Sequence, residues 1–404
     1  KEYFHDLKKN SIIMRHTGEP CRNGMDLFFN KKRADDRKAF LTNDCNPDAF
    51  IPYENEETTL VTFVRDELLP QYGLSTLRRA IPSLDGFKDA TRKILYGARS
   101  LGMKGNEGIS VANAAGKIAS HTNYHHRGTA MEQTIIGLAA DYAGTSNINL
   151  LKPLGQFGTR YKHAAASAAY PKISLNDPIQ NILYPSADDP ILDHIVEEGM
   201  TIEPKTYFPI IAMPLVYGSK GIATGWSTDI PQHNPLDVID ITLSYLDDVE
   251  ESIPNILPWY RGFDGTVIRT SDTTYVVRGR YHWDGRDVHV TEVPPHREVE
   301  AYKEDWIKLD IATEVYAGSE NVDGKVDIVL KDCTLSKDTD ILVKLGLETR
   351  GGYGNMHLLD ENGRLTRYDS ISDIIRAHAT MRLKAYQRRI AHAISVLERR
   401  CNLA

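Results

Sequence analysis

Tyr170 closes a run of small side chains, Ala164-Ala165-Ala166-Ser167-Ala168-Ala169, just after the glycine loop Gly155-Gln156-Phe157-Gly158-Thr159-Arg160. A phenol on such a loop has no bulky neighbours to bury it and is a candidate nucleophile. The chain has 20 tyrosines, so the setting, not the residue type, singles this one out. A second group, His121-Thr122-Asn123-Tyr124-His125-His126, could place two imidazoles on one helical face as metal ligands, but no cysteine or nearby carboxylate completes a shell. On a basic surface the same imidazoles could accept a proton or donate to a phosphate oxygen, and a purely structural role fits the spacing as well. The phosphate-binding loop G-x-x-x-x-G-K-[ST], the zinc motif H-E-x-x-H and the serine elbow G-x-S-x-G are all absent from the sequence.

The net charge of −7 argues, taken alone, against a phosphate-rich partner. Between Gln71 and Lys172, however, 13 Lys and Arg stand against five Asp and Glu, a local +8 that leaves −15 on the remainder. With His121, His125, His126 and His163 added, this segment reads as a surface built to face polyanion; a solvated face of chance composition is the alternative.

Elements must hold these groups in place. Residues 1–60 are charged and irregular and read as a connector, with the mixed-sign run Lys31 to Lys38 expected as an exposed helix. A helical pattern runs from Leu60 to Leu69, where Pro70 is expected to stop it. Further helices are expected from Asp89 to Leu101, Ser110 to Ser120 and Gly128 to Ala143. Short helices with tight connections in a basic segment point to a helix-turn-helix or winged-helix unit, although a plain helical bundle fits the pattern equally. After Asn149 loops and short apolar runs take over, with glycines at 155, 158, 218, 221 and 225. The alternation in Thr266-Val267-Ile268-Arg269 and Tyr275-Val276-Val277-Arg278, and the Asp284-Gly285 break, predict strands of a second, α/β region. Leu383, Tyr386, Ile390, Ala393 and Leu397 recur at spacings of three and four, the start of a coiled-coil seam.

With 404 residues, 41% hydrophobic and 25% charged, the chain fits two or three folded domains and excludes disorder or a collagen-like repeat. No stretch approaches the roughly 18 apolar residues of a membrane helix, and Lys1 to Asn10 is not a signal peptide. The cysteines at 21, 45, 333 and 401 form no C-x-x-C pair, which points away from a zinc ribbon or a disulfide framework and toward a reducing compartment. The chain begins abruptly at Lys1 without an initiator Met and reads as a piece of something longer.

Four strings in this chain carry a resemblance. Arg79-Ala80-Ile81-Pro82-Ser83-Leu84-Asp85-Gly86-Phe87-Lys88-Asp89-Ala90-Thr91-Arg92-Lys93 resembles the opening of the breakage-reunion region of type IIA DNA topoisomerases. Tyr124-His125-His126, Leu151-Lys152-Pro153-Leu154-Gly155-Gln156-Phe157-Gly158-Thr159-Arg160 and Gly221-Ile222-Ala223-Thr224-Gly225-Trp226 resemble three further signatures of that family, in its order. Lys1-Glu2-Tyr3-Phe4 and Asp35-Asp36-Arg37-Lys38 are more weakly similar to the stretch after the metal-binding domain of the eukaryotic-type enzyme, so essentially the whole chain is covered. The divergent sequence between the motifs is of a kind expected from a large DNA virus.

The resemblance implies an α+β multidomain protein: a connector at 1–60, a winged-helix breakage-reunion domain at 61–235, a tower domain at 236–372 and the start of a coiled-coil dimer gate at 373–404. It implies an ATP-dependent topoisomerase core that breaks both strands through a 5′-phosphotyrosine, passes a second duplex and religates; a non-catalytic winged-helix DNA-binding module, or a metal-dependent phosphodiester hydrolase, is the alternative. Tyr170 would be the nucleophile, Arg79 the phosphate-binding arginine, and His126 the group that orients or deprotonates the phenol. Lys88, Arg92, Lys93, Lys117, His125, Arg160 and Lys162 would contact DNA, with Ile222 as a wedge between base pairs, helped by Gly221 and Gly225 letting the backbone approach DNA. The family places an Arg just before the tyrosine and usually an Asp a few residues earlier; here stand Ala169 and Ala164, so either residues are lacking at this point, or substitutions were made, or another cation such as Arg160 or Lys162 stands in. Mg²⁺ and ATP would be bound outside these residues, no metal within them. The expected partners are two DNA duplexes and a second copy of the chain, without a membrane, in the nucleus or, for a viral enzyme, at cytoplasmic replication sites.

Overall fold

The computed structural model describes residues 11–43, 50–52, 54–126, 128–223, 225–247, 256–318, 324–336 and 339–403. The stretch with Lys1-Glu2-Tyr3-Phe4, as well as Cys45 and Thr224, lies outside the described residues. The connector supplies β1 (Ile13–Arg15), α1 (Glu19–Phe29), α2 (Ala34–Asn43) and β2 (Glu57–Thr59), with β1 and β2 paired in parallel. Within the mixed-sign run, residues 31–33 form a 3₁₀ turn and the rest opens α2.

Pro70 does not stop the helix begun at Leu60. Helical turns continue from α3 (Leu60–Phe63) through a π-helical turn (Val64–Leu68) into α4 (Leu69–Ala80). The Leu69 amide bonds the Val64 carbonyl five residues back, so the backbone has already widened where the proline enters. Its missing N–H and its ring are absorbed by that turn.

The basic segment folds as a winged helix-turn-helix. It comprises α5 (Asp89–Ser100), β3 (Ile109–Ser110), α6 (Val111–His121), α7 (Gly128–Ala139), β4 (Leu151–Leu154) and β5 (Lys172–Leu175). The three strands form an antiparallel sheet in the order β3-β5-β4, which a plain helical bundle would lack. The helix α7 ends at Ala139, short of the expected Ala143. The Asn149 side-chain amide donates to the carbonyls of Leu138, Ala139 and Ala140 and so satisfies the end of the helix.

The chain continues through α8 (Asp177–Leu183), the hairpin β6 (His194–Glu197) and β7 (Met200–Pro204), α9 (Met213–Tyr217), the hairpin β8 (Ser219–Ala223) and β9 (Trp226–Ile230), and α10 (Pro235–Leu246). Next come β10 (Thr266–Arg269), β11 (Thr274–Arg278), β12 (Arg280–Trp283) and β13 (Val288–Glu292), with the Asp284-Gly285 turn where the sequence placed it. After α11 (Val299–Lys308) follow β14 (Glu314–Ala317), β15 (Ile328–Lys331), α12 (Ile341–Lys344), β16 (Glu348–Gly352), β17 (Met356–Leu359), β18 (Leu365–Tyr368) and the long α13 (Ile371–Leu403). The sheets β10-β11-β16 and β12-β13-β15-β14 are antiparallel throughout.

One core runs from Leu84 through Phe87, Ile118, Ile135 and Leu215 to Tyr275, Met356 and Ile374. It joins the winged helix to α10, to the three-stranded sheet and to the root of α13. A separate core, from Val288 to Leu347 and centred on Trp306 and Tyr302, fills the four-stranded sheet. The region expected as a tower is therefore split between the two cores, because the buried residues of β11 face back onto the first.

Candidate functional site

The sequence folds Tyr170 onto the wing, the loop between β4 and β5. The glycines there let the loop double back: Gly158 has φ +92, and a Cβ on it would lie 2.4 Å from the His163 carbonyl. Gln156 then closes the wing by accepting the Ala166 amide on its side-chain oxygen at 2.6 Å. At the base of the wing, the Pro171 and Ala168 carbonyls accept from Val111 and Ala112, the first amides of α6, at 3.0 and 2.9 Å. Those amides have no partner inside the helix, so the wing and the helix satisfy each other. Tyr170 stands between these two anchors, 78% exposed. Its backbone is held and its phenol is free to meet a partner from solution.

The other candidates separate into exposed groups and buried ones. Arg79 is exposed in the last turn of α4, with no ion-pair partner among the described residues. Burial raises the Tyr124 phenol above its ordinary range while the Arg79 charge pulls the other way. His126 is exposed with its ring edge-on to Tyr124, centroids 5.2 Å apart. His125 Nε2 lies 3.1 Å from Glu197 Oε1. Lys117 is exposed on α6 and lines a cavity with Lys104 and His121; Lys162 is exposed on the wing. Ile222 projects from the β8–β9 hairpin as an apolar side chain at 85% exposure.

Three of the residues expected to contact DNA are instead turned inward in this structure. Arg92 is 4% exposed, and its guanidinium is bound by Asp85 at 3.0 Å, by Ser83 and by the Phe87 carbonyl. Burial opposes its charge, but the Asp85 carboxylate outweighs that and holds its pKa above the ordinary value. Lys93 turns inward to Glu203 and the Thr122 carbonyl. Arg160 is 2% exposed and reaches across to Glu292 and the carbonyls of Val293 and Arg297, tying the wing to the start of the second core. Such charges are sequestered because only a paired guanidinium or ammonium tolerates burial. Of the two cations offered as a replacement for the arginine missing at Ala169, only Lys162 is exposed.

Gly221 also has a different reason from the one expected. A Cβ there would sit 2.0 Å from the Ala80 carbonyl, so this glycine lets β8 lie against the end of α4, next to Arg79. Close approach to another part of the same chain is what it secures.

Sequence reasoning missed most of a groove that Lys88 lines. A groove of about 860 Å³ runs between α7, the root of the β8–β9 hairpin and the second half of the chain, lined by Lys88, Lys220, His296, Arg297 and Arg350 as well as Asp229. Lys88 caps the start of α5, donates to the Lys220 carbonyl at 3.0 Å, and has its pKa lowered by burial. Lys220, adjoining the Gly221 motif, was the available signal; His296, Arg297 and Arg350 are more than 120 residues from Tyr170 and had none.

The residues 155–170 include no Asp or Glu, so the wing offers no carboxylate ligand for a metal. Among the described residues, the one His/Cys/Asp/Glu group with metal-like spacing is Asp284, Asp287 and His289 on the β12–β13 turn. Asp284 there already accepts the amides of Arg286 and Asp287, which holds its carboxyl below the ordinary range.

A winged helix with a basic surface, an exposed tyrosine on its wing and an exposed arginine and histidine turn elsewhere on it defines a protein built to face DNA. The chain belongs to the DNA gyrase/topoisomerase IV A-subunit family, whose model matches residues 79–404; residues 1–73 match the C-terminal associated domain of TOPRIM. It is 34% identical to DNA topoisomerase 2 of Plasmodium falciparum over 99% of its length, and 33% identical to DNA topoisomerase 2 of Saccharomyces cerevisiae over 97%. The chain spans 29% and 28% of those two proteins. The crystal structure of the Plasmodium falciparum topoisomerase II DNA-binding, cleavage and re-ligation domain superposes with a TM-score of 0.91 at 32% identity, covering 98% of this chain and 55% of that one.

Proposed function

We propose that the chain is the DNA-binding and cleavage core of an ATP-dependent type IIA topoisomerase, acting as a homodimer on two duplexes. The observation that carries this reading is Tyr170 itself, exposed on a wing anchored to the start of α6, in a chain of this family. The Tyr170 oxygen attacks phosphorus and forms the 5′-phosphotyrosine, while the sugar 3′-oxygen leaves and takes up a proton as a 3′-hydroxyl. Reversal reseals the strand without an outside energy source. A phenol with a reference pKa of about 10 needs a proton acceptor at neutral pH, and His126 fills that role. Arg79 holds the phosphoryl oxygens in a planar fork. Lys88, Lys117, Lys162 and His125 hold the flanking backbone, and Ile222 wedges between base pairs to bend the duplex.

The domain limits follow the same reading: connector 1–60, breakage-reunion 61–235, tower 236–372, and the start of a dimer gate from 373. Mg²⁺ and ATP belong to parts of the enzyme outside this chain, and the roles assigned here are those of protein side chains alone. The similarity to eukaryotic DNA topoisomerase 2 favours a nuclear site of action; the relatives named above are from cellular organisms and lend no support to a viral origin. No described helix is long and apolar enough to cross a membrane.

The test is to incubate the complete enzyme and its Tyr170→Phe variant with end-labelled duplex and Mg²⁺, denature in detergent, and look for protein on 5′ ends. An adduct lost on substitution is expected. DNA binding without any adduct would overturn the reading in favour of a non-catalytic module.

A further inference from the structure

Lys93 and the β6–β7 hairpin converge on the histidine turn from two sides. From beneath, the Lys93 ammonium donates to the Thr122 carbonyl at 2.6 Å and meets both Glu203 oxygens, at 2.8 and 3.0 Å. The two side chains are 13% and 4% exposed. Thr122 is where α6 ends; Asn123 then adopts a left-handed φ of 50 and hands the chain on to Tyr124, His125 and His126. Glu203 belongs to β7, and the tip of the same hairpin reaches the outer side of the turn. There Glu197 meets His125 Nε2 at 3.1 Å and Glu198 accepts from the Asn123 side-chain Nδ2 at 3.4 Å.

Burying an ammonium and a carboxylate costs more than burying an apolar pair of equal size, so stability alone does not explain this arrangement. What the ion pair adds is direction, because a third arm of the ammonium fixes a backbone carbonyl two residues before Tyr124. The turn is thus pinned at its entry by Lys93 and along its outer edge by the hairpin, leaving His126 exposed.

We propose that Lys93, Glu203 and Glu197 are positioning residues for strand cleavage, holding the Tyr124–His126 turn so that His126 meets the phosphodiester attacked by Tyr170. This rests on the roles proposed for His126 and Tyr170. The residues touch no DNA themselves; they act through the turn, and their loss slows chemistry without weakening binding.

The test measures DNA affinity and, separately, the single-turnover rate of adduct formation at saturating duplex, in the complete enzyme with Mg²⁺. A misplacement of an ångström is expected to slow cleavage about 100-fold in Lys93→Met and about tenfold in Glu197→Gln, with affinity within about twofold of wild type. Lys93→Arg should restore most of the rate, and Lys93→Met with Glu203→Gln should be no slower than Lys93→Met alone, as expected for one coupled unit. Glu197→Gln alters an exposed carboxylate and keeps the test decisive should Lys93→Met fail to fold. Wild-type rates in these variants, or rate losses that only track lost affinity, would overturn the positioning role. His126→Ala and Tyr170→Phe separate the two levels. If His126→Ala is slow while the Lys93 and Glu197 variants are normal, only the positioning role fails; if wild type forms no adduct, or His126→Ala is as fast as wild type, the underlying reading fails and takes this one with it.

Discussion

Arg92 and Lys93 follow one another on α5, and both turn their charge into the protein. For Arg92 the partner is Asp85, itself fully buried, which also accepts the amides of Phe87 and Tyr207. Asp85→Ala leaves an uncompensated guanidinium in the core, and a loss of about 3–5 kcal/mol is expected in urea unfolding. His378 is a second buried polar residue: its Nε2 lies 3.0 Å from the Pro209 carbonyl, and burial pushes its pKa down to about 4. The unfolded chain takes up a proton on this histidine below about pH 6.5, while the folded chain does so only near pH 4. Its contribution is therefore present above pH 6.5 and is lost as pH falls toward 4, on the order of 3 kcal/mol in all. Urea midpoints of wild type and His378→Gln between pH 7 and 4.5 should show a shallower acid decline in the variant. A sequence displays such charges and imidazoles by type, but which of them are paired inward depends on the partner the fold supplies, as near as Asp85 to Arg92 or as far as Glu292 to Arg160.

Helix and strand positions were the most legible feature of the chain. The helices α5, α6 and α7 and the strands β10 and β11 lie close to where periodicity put them, since amphipathic spacing is local. Pro70 misled because a local rule about proline was overridden by the π turn that ends at Leu68. The β8–β9 hairpin shows the opposite relation, a local feature explained by a distant one. Gly221 permits contact with the Ala80 carbonyl, so the hairpin bearing Ile222 and the helix bearing Arg79 are set by one close approach. Gly221→Ala should push them apart and reduce adduct formation at least about tenfold, whereas a surface substitution on the hairpin should not. Retained cleavage in Gly221→Ala, measured by the detergent-trapped adduct, would show that the contact does not set the site.

At the scale of the whole molecule, α13 is the element that looks outward. Its first half is buried against the main core, with Arg382 bound by Asp188 and by the Phe208 carbonyl. On the same helix Leu383, Ile390, Ile394 and Leu397 are exposed apolar residues. Tyr386, expected in the same seam, is instead stacked against the guanidiniums of Arg382 and Arg389, 4.0 and 4.9 Å from its ring. The proposed homodimer predicts that Ile390→Lys with Leu397→Lys weakens self-association at least about tenfold by sedimentation, because each lysine would bury an unpaired charge in the seam. Unchanged association would place the dimer contact elsewhere.

The sequence by itself determined the element types, the basic character of the winged helix, the exposed setting of Tyr170 and the family, because these depend on residue type and short spacing. Tertiary structure alone decided which cations face solvent, how Gly221 is used, and that His296, Arg297 and Arg350 join Lys88 in one groove. The physical reason is that burial and pairing are settled by contacts between residues far apart in the chain, and a charge is sequestered or presented according to the partner that the fold brings to it.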